Sequence, residues 1–360
     1  MHALFVHVQC FMPLCLCTGP PSQIQLLQIA DVAARRFRAE ATLAGYKTKF
    51  RSWLVFCHLY RVCHLEQHYR LLELNLITYA CYLAVGSLQY DTVRAYTLLG
   101  SKRWFEFNGH ILDHDDMLHL HRVLDGLKRC IILKQPKPRE PLLVQHFLGF
   151  VRSCGPPQQR TLKQKSFLAI CATATYGCRR LGELLCKTLG QFSPISCVHA
   201  GCVCFFPDRV DIRIPRTKTR AEGLTVSIAK QPAGHCFCAW QLLADYMLSA
   251  SHSSPFDPLF QSVKDDKLTG SPLLKPRFIS FLRDFLQAEF PEVNHMHYAG
   301  HSFRIASATL MAVLNIPRPV QKNIGDWLGE AIDLYIRISL QQKLAASLQL
   351  GTLFADVAAV

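Results

Sequence analysis

The residues best suited to chemistry lie in the second half of the chain, in four short segments. His301 and Arg304 stand three apart in Gly300-His-Ser-Phe-Arg304, so on a helix they share a face. The run that follows, IASATLMAVL, is small and apolar and reads as the buried part of the same helix. A His and an Arg on the exposed end of a buried helix are well placed to hold an anion, although a capped helix with a solvated Arg reads the same way. In Tyr176-Gly-Cys-Arg-Arg-Leu-Gly-Glu183, Arg180 precedes Glu183 by three residues. A guanidinium fork matches two phosphate oxygens; an ordinary surface ion pair is the alternative. Lys218, in Arg216-Thr-Lys-Thr-Arg220, falls at the tip of an expected hairpin, from which it can reach a neighbouring groove or simply be solvated. Trp327 and Tyr335 follow, eight apart. A tyrosine there is either a buried ring with a satisfied hydroxyl or a nucleophile.

These residues need elements to hold them. Residues 161–176 and 180–188 read as helix, interrupted at Gly177. Val210, Ile212 and Ile214 alternate with Arg209, Asp211 and Arg213, and Leu224, Val226 and Ile228 repeat the pattern, which predicts a β-hairpin around 216–223. Helices are expected again at 236–250, 276–287, 302–314, 319–328 and 331–348, the last carrying Tyr335. The N-terminal part reads as helical throughout. Tyr46, Phe50, Trp53, Leu54 and Cys57 share a helix face, and Leu74 to Val85 ends at Gly86. Asp91 is the expected cap of a helix running to about Phe107, and Asp115 or Asp116 that of one ending at Lys128-Arg129.

Between the halves lies Lys134-Gln-Pro-Lys-Pro-Arg-Glu-Pro141, where three prolines forbid helix and the charge is basic. The expected layout is an extension over 1–24, a helical domain over 25–133, a linker over 134–141, an α+β domain over 142–350 and a tail over 351–360. Lys134, Lys137 and Arg139 in the linker, with Arg216 and Arg220 on the hairpin, are candidate DNA-backbone contacts.

The chain has 360 residues, 50% of them apolar, and a formal charge of +14. That suffices for two folded cores and favours a polyanionic partner, nucleic acid before anionic membrane. The sixteen cysteines are scattered and mostly embedded in apolar runs, which argues for a reducing compartment. Cys197, His199, Cys202 and Cys204, with His235, Cys236 and Cys238, do not match zinc-finger spacing, and no metal is expected. The apolar first eighteen residues lack the basic start of a signal peptide. No stretch has the roughly twenty apolar residues of a membrane helix.

The order of the segments is more telling than any one of them. Arg180, Lys218 on a hairpin, His301-x-x-Arg304, Trp327 and then Tyr335 resemble the active-site series of the tyrosine recombinase (phage integrase) family. Among its subgroups the sequence is most similar to eukaryotic mobile-element recombinases of the DIRS and Crypton type, through GHSFRIASATL, Ile-Gly-Asp-Trp327, Tyr335-Ile-Arg, YGCRRLGELL and RTKTR. The G-x-x-R-x-x-E-L form selects Arg180 over Arg179. The resemblance spans about residues 40–340. Arg220 replaces a common Asp and Ile332 a common aromatic, and the first twenty or so residues have no counterpart.

The resemblance implies a mainly α fold with a small β-sheet: a helical, SAM-like core-binding domain and an α+β catalytic domain that together form a C-shaped clamp on double-stranded DNA. It implies that Arg180 and Arg304 clamp a phosphate, that His301 shares in binding and proton transfer, and that Lys218 protonates the leaving 5′-oxygen. Trp327 would donate from its indole and Tyr335 would attack, leaving a 3′-phosphotyrosine; Glu183 would support Arg180. It further implies no cofactor, a homo-tetramer on two DNA sites, and a nuclear location without membrane attachment. A decayed recombinase that only binds DNA and a type IB topoisomerase-like nicking enzyme are the competing expectations.

Overall fold

A computed structural model describes residues 40–86, 88–129, 139–217, 220–327 and 329–337. The expected extension 1–24, the C-terminal tail, residues 338–348 of the last expected helix, linker residues 134–138 and Lys218 lie outside the described residues. The chain divides into two compact units, Met1–Pro136 and Lys137–Val360.

In the first unit, α1 (Glu40–Tyr60) and α2 (Tyr69–Val85) precede a continuous helical stretch made of α3 (Tyr90–Arg94), a π-helical turn (Ala95–Gly100) and α4 (Ser101–Phe107). α5 (Leu118–Arg129) closes it. Trp53, Phe56 and Tyr79 form the core, with ring centroids 5.1–5.6 Å apart. The buried polar tips are satisfied: Trp53 Nε1 donates to the His64 carbonyl at 3.2 Å, and Tyr79 donates to Ser52 Oγ at 2.8 Å. Two expected caps are not used. The stretch from Tyr90 starts at Gln89, with Asp91 inside its first turn. The backbone N–H groups of His119 and Leu120 donate to Glu73 Oε1 of α2, at 3.0 Å each, in place of Asp115 or Asp116. A carboxylate from a neighbouring helix can satisfy orphan donors as well as a local cap does.

The second unit is built on α7 (Leu162–Tyr176), preceded by α6 (Val144–Ser153). Thr161 and Gln164 cap α7 reciprocally, at 3.3 and 2.9 Å. Residues 166–174 are all buried because small residues alternate with Phe167, Leu168 and Ile170, so the helix is apolar all round and is covered on every side. It packs on α9 (Ala239–Ala250), α10 (Lys275–Glu289) and α11 (Ser302–Val313) through Phe167, Tyr246, Phe278 and Phe303. The sequence places α9 from 236; its helix begins at 239, after a turn.

A three-stranded antiparallel sheet flanks this core: β1 (Val203–Phe205), β2 (Arg209–Ile214) and β3 (Leu224–Ala229), in that order. The paired register Val210–Ile228, Ile212–Val226 and Ile214–Leu224 puts the alternating apolar residues on the core face. β1 and a second hairpin, β4 (Gln261–Lys264) with β5 (Lys267–Pro272), are additions to the two strands the alternation predicted. α8 (Leu181–Leu184) is one turn, shorter than the helix expected to 188. After α12 (Arg318–Gly325) comes a 3-10 turn (Glu330–Leu334) where an α-helix was expected, and Tyr335 sits at its end.

Candidate active site

α7 ends at Gly177. A Cβ there would lie 2.8 Å from the Thr173 carbonyl and 3.0 Å from Val226, so the position has room for glycine alone. Cys178 then takes a left-handed conformation (φ 51°), and of the two arginines that follow the first is buried and the second partly exposed. Arg179 is fully buried. Its Nε donates to the Gly177 carbonyl at 2.6 Å, one terminal nitrogen donates to the Ile324 carbonyl, and the other lies 3.8 Å from Glu183. Arg180, at the N-cap of α8, is partly exposed and holds Glu183 at 3.1 Å, while Glu183 also accepts from the Arg180 backbone N–H at 3.3 Å. Burial opposes the Arg180 charge, but Glu183 and the nearby Tyr335 hydroxyl outweigh it and raise its pKa. One carboxylate thus serves both guanidinium groups.

His301 is the N-cap of α11, with Arg304 one turn in. The two share a face as expected, but not the same exposure: His301 is open to solvent and Arg304 is 1% exposed. The Arg304 guanidinium donates to the carbonyls of Cys178, at 3.2 Å, and of Gly325. The Trp327 ring covers it at 4.3 Å, with Tyr335 beyond at 5.7 Å. Trp327 lies so close over Gly325 that any Cβ there would collide with the indole. Tyr335 stands between His301 and Trp327, with centroids 6.2 and 5.7 Å away, and packs with Cys178, Ala308 and Ile332. Thr309 Oγ1 fixes its backbone by donating to the Tyr335 carbonyl at 3.3 Å and accepting from the Arg337 N–H at 3.2 Å.

The structure therefore gathers Arg180, Glu183, His301, Arg304, Trp327 and Tyr335 from four separate segments. Partial desolvation lowers the His301 pKa, and Arg180, Lys275, Arg304 and Arg139 lower it further. Every charged neighbour named there is a cation. Among the described residues, three buried N–H donors here lack a hydrogen-bond acceptor: one terminal nitrogen of Arg179, Nε of Arg304 and Nε1 of Trp327. Buried donors without acceptors, in a site whose guanidinium and ammonium groups outnumber the one Glu183 carboxylate that Arg179 and Arg180 share, suit an oxyanion such as a phosphodiester. A tyrosine hydroxyl beside that position suits attack on phosphorus.

Of the expected backbone contacts, Arg139 contributes to the positive field at His301 and Arg216 is exposed. Arg220 is engaged in an ion pair with Asp326 at 2.7 Å. Lys134, Lys137 and Lys218 lie outside the described residues. Among the described residues, no three His, Cys, Asp or Glu side chains gather as a metal site would require.

Two residues at the site had no sequence signal. One is Arg179, whose neighbour carries the motif. The other is Lys275, the first residue of α10, whose side chain passes over Gly300 so closely that a Cβ there would meet its Cε at 2.7 Å. Its pKa is lowered by desolvation and by Lys187, and no hydrogen bond or ion pair holds its ammonium among the described residues.

No family model matches the sequence, and no curated protein matches it significantly. Solved structures do match. The Tn1549 transposon integrase, in complex with circular intermediate DNA, is 14% identical, covering 88% of this chain and 97% of that chain with a TM-score of 0.52. A lambda integrase dimer bound to a core site is 13% identical, covering 88% and 98%, with a TM-score of 0.50. The XerH recombinase, in a post-cleavage complex with its palindromic substrate, is 13% identical, covering 76% and 69%, also at 0.50. At such identities the likeness is one of fold: the chain is mainly helical with a small sheet, in the tyrosine recombinase fold.

Proposed function

We propose that this chain breaks and rejoins DNA strands as a tyrosine recombinase. The observation that carries the reading is the meeting of Arg180, His301, Arg304, Trp327 and Tyr335 around buried N–H donors that lack acceptors, within a fold shared with DNA-bound recombinases. Tyr335 attacks the phosphorus, its oxygen forming the new bond and its proton passing to His301 as the 5′-oxygen departs. Arg180 and His301 hold the non-bridging oxygens, the Trp327 indole donates to one of them, and Lys218 supplies the proton to the leaving oxygen. The 3′-phosphotyrosine keeps the energy of the original diester, so rejoining needs no nucleotide cofactor. Four or five donors and cations take the part that a metal ion plays elsewhere. The helical N-terminal unit as a second DNA-gripping domain in a clamp, the DIRS/Crypton affinity, a mobile-element origin, a tetramer on two sites and a nuclear location belong to the same proposal.

One observation favours a second reading. The terminal nitrogens of Arg304 are spent on the Cys178 and Gly325 carbonyls beneath Trp327, so in this conformation Arg304 does not face an incoming phosphate. An active enzyme must open this stack when DNA binds; a decayed recombinase that only holds DNA need not.

A nicked suicide substrate from the flanks of the encoding locus separates these readings. Wild type, without Mg²⁺, should give a covalent protein–DNA band that Tyr335→Phe does not. Salt-sensitive binding with no band would favour the binding module, and loss of binding as well would remove the reading altogether. Relaxation of supercoiled DNA without strand exchange would point to topoisomerase-like activity.

A further inference from the structure

Cys186 and Cys197 sit outside the proposed reaction, yet the fold brings them together. Their sulfurs are 3.7 Å apart, and both residues are partly exposed. Neither end of this pair is held by chance. The Cys186 carbonyl accepts from the Lys275 N–H at 2.8 Å, and the residue bridges to Leu274. The Cys197 N–H donates to the Ser193 carbonyl at 2.8 Å, and its thiol contacts the Gln191 carbonyl at 3.4 Å. Between them the chain turns through Leu189–Gln191, where Gln191 Oε1 accepts from the Lys187 N–H at 3.1 Å. The backbone thus closes a loop of ten intervening residues, and the thiols need approach by less than 2 Å to reach bonding distance.

The two thiols are chemically unequal. The hydrogen bond from Cys186 lowers the Cys197 pKa, and the same bond raises that of Cys186. Thiolate therefore collects on Cys197, the form that attacks a disulfide, with a second thiol beside it to resolve the product.

We propose that Cys186 and Cys197 are a redox dithiol which a small-molecule disulfide of the glutathione class oxidises to an intramolecular disulfide. The Cys197 thiolate attacks one sulfur of oxidised glutathione and releases one glutathione thiolate. Cys186 then gives up its proton and attacks the Cys197 sulfur, releasing the second glutathione. Two protein thiols are oxidised and one glutathione disulfide is reduced to two glutathiones. The bond would fix the chain that leaves the Arg180–Glu183 turn, and it goes beyond the recombinase reading without depending on it.

Lys187 is the sole trypsin site between the two cysteines, which makes the test direct. The full chain is equilibrated with oxidised and reduced glutathione, alkylated, digested with trypsin and analysed by mass spectrometry without reductant. The expected product is peptide 181–187 joined to peptide 188–209, lost on reduction and absent from Cys186→Ser and Cys197→Ser. Cys186→Ser should instead accumulate glutathione on Cys197, because nothing resolves it. Recovery of alkylated Cys186 while exposed thiols such as Cys63 and Cys236 are oxidised would overturn the proposal. So would persistence of the 181–187 to 188–209 link in Cys197→Ser, which would assign it to Cys202 or Cys204.

Discussion

Replacing Glu183 by Gln should be one of the more damaging single changes in the second unit, although it alters only one atom's identity. Glu183 is 9% exposed and faces two guanidinium groups, Arg180 at 3.1 Å and Arg179 at 3.8 Å. Arg180 is 32% exposed, so water takes over most of its share. Arg179 is 1% exposed, and one of its terminal nitrogens has only this carboxylate to face among the described residues. Leaving a buried charge uncompensated costs about 3–5 kcal/mol; since a Gln oxygen still accepts from Arg180, the loss should be near the lower end, about 3 kcal/mol. For a unit of this size that corresponds to a fall in Tm of about 6–12 °C. Urea unfolding of wild type, Glu183→Gln, Arg179→Met and the double variant gives the cycle. The double variant, with no stranded charge, should be more stable than the Glu183→Gln single variant, with a coupling of about 2 kcal/mol. A Glu183→Gln variant within about 0.5 kcal/mol of wild type, or strictly additive changes, would refute the claim that the carboxylate compensates Arg179.

Other substitutions address the site itself. Trp327→Phe keeps a ring over Arg304 and Gly325 but removes an N–H that has no acceptor, so stability should change by less than about 1 kcal/mol. Single-turnover cleavage should nevertheless slow on the order of 10²-fold if the indole donates in the transition state, and an unchanged rate would exclude that role. Because the His301 pKa is lowered in the free protein and a bound phosphate would raise it, binding takes up a proton; affinity for DNA should tighten as pH falls across about pH 8 to 5, and His301→Gln should flatten that profile in a titration. Lys275→Gln should weaken DNA binding alike for all sequences and reduce the slope of log K against log salt by about one; an unchanged slope would place the ammonium off the backbone.

Much of this architecture could be read from residue type and spacing. The alternation in 209–214 and 224–229 specified both strands and their buried face, and the six gathered site residues were all recognisable as motif positions. What escaped reading depends on contacts distant in sequence. Arg304 looked exposed because it shares a face with His301; its burial depends on Trp327, twenty-three residues later, lying against Gly325. Arg179 looked like a spare neighbour of Arg180, because nothing local reveals that its side chain is buried against the carbonyls of Gly177 and, far along the chain, Ile324. The turn bearing Tyr335 read as part of an α-helix over 331–348. Its 3-10 form accompanies ion pairs from α12, Arg318 with Asp333 and Lys322 with Glu330, which no local pattern announces. β1 and β4 are three and four residues long, too short for alternation to stand out, and β5, although as long as β2, reads KLTGSP, with Leu268 its one large apolar side chain and no alternation to see.

In the proposed reaction, the ion pair between Arg220 and Asp326 would have a kinetic consequence. It joins the far side of the β2–β3 turn to the residue just before Trp327, with Asp326 nearly enclosed and Arg220 about half exposed. A pair open on one side is weakened as ions are added. Rising ionic strength would then do two opposite things, loosening the protein's hold on DNA while untethering the loop that bears Lys218. Affinity and turnover would respond with opposite signs: on saturating DNA the chemical step would quicken as salt is raised, until binding fails, giving an optimum at intermediate ionic strength. Arg220→Gln, which lacks this ion pair, would begin at a faster rate and show a smaller rise before the decline.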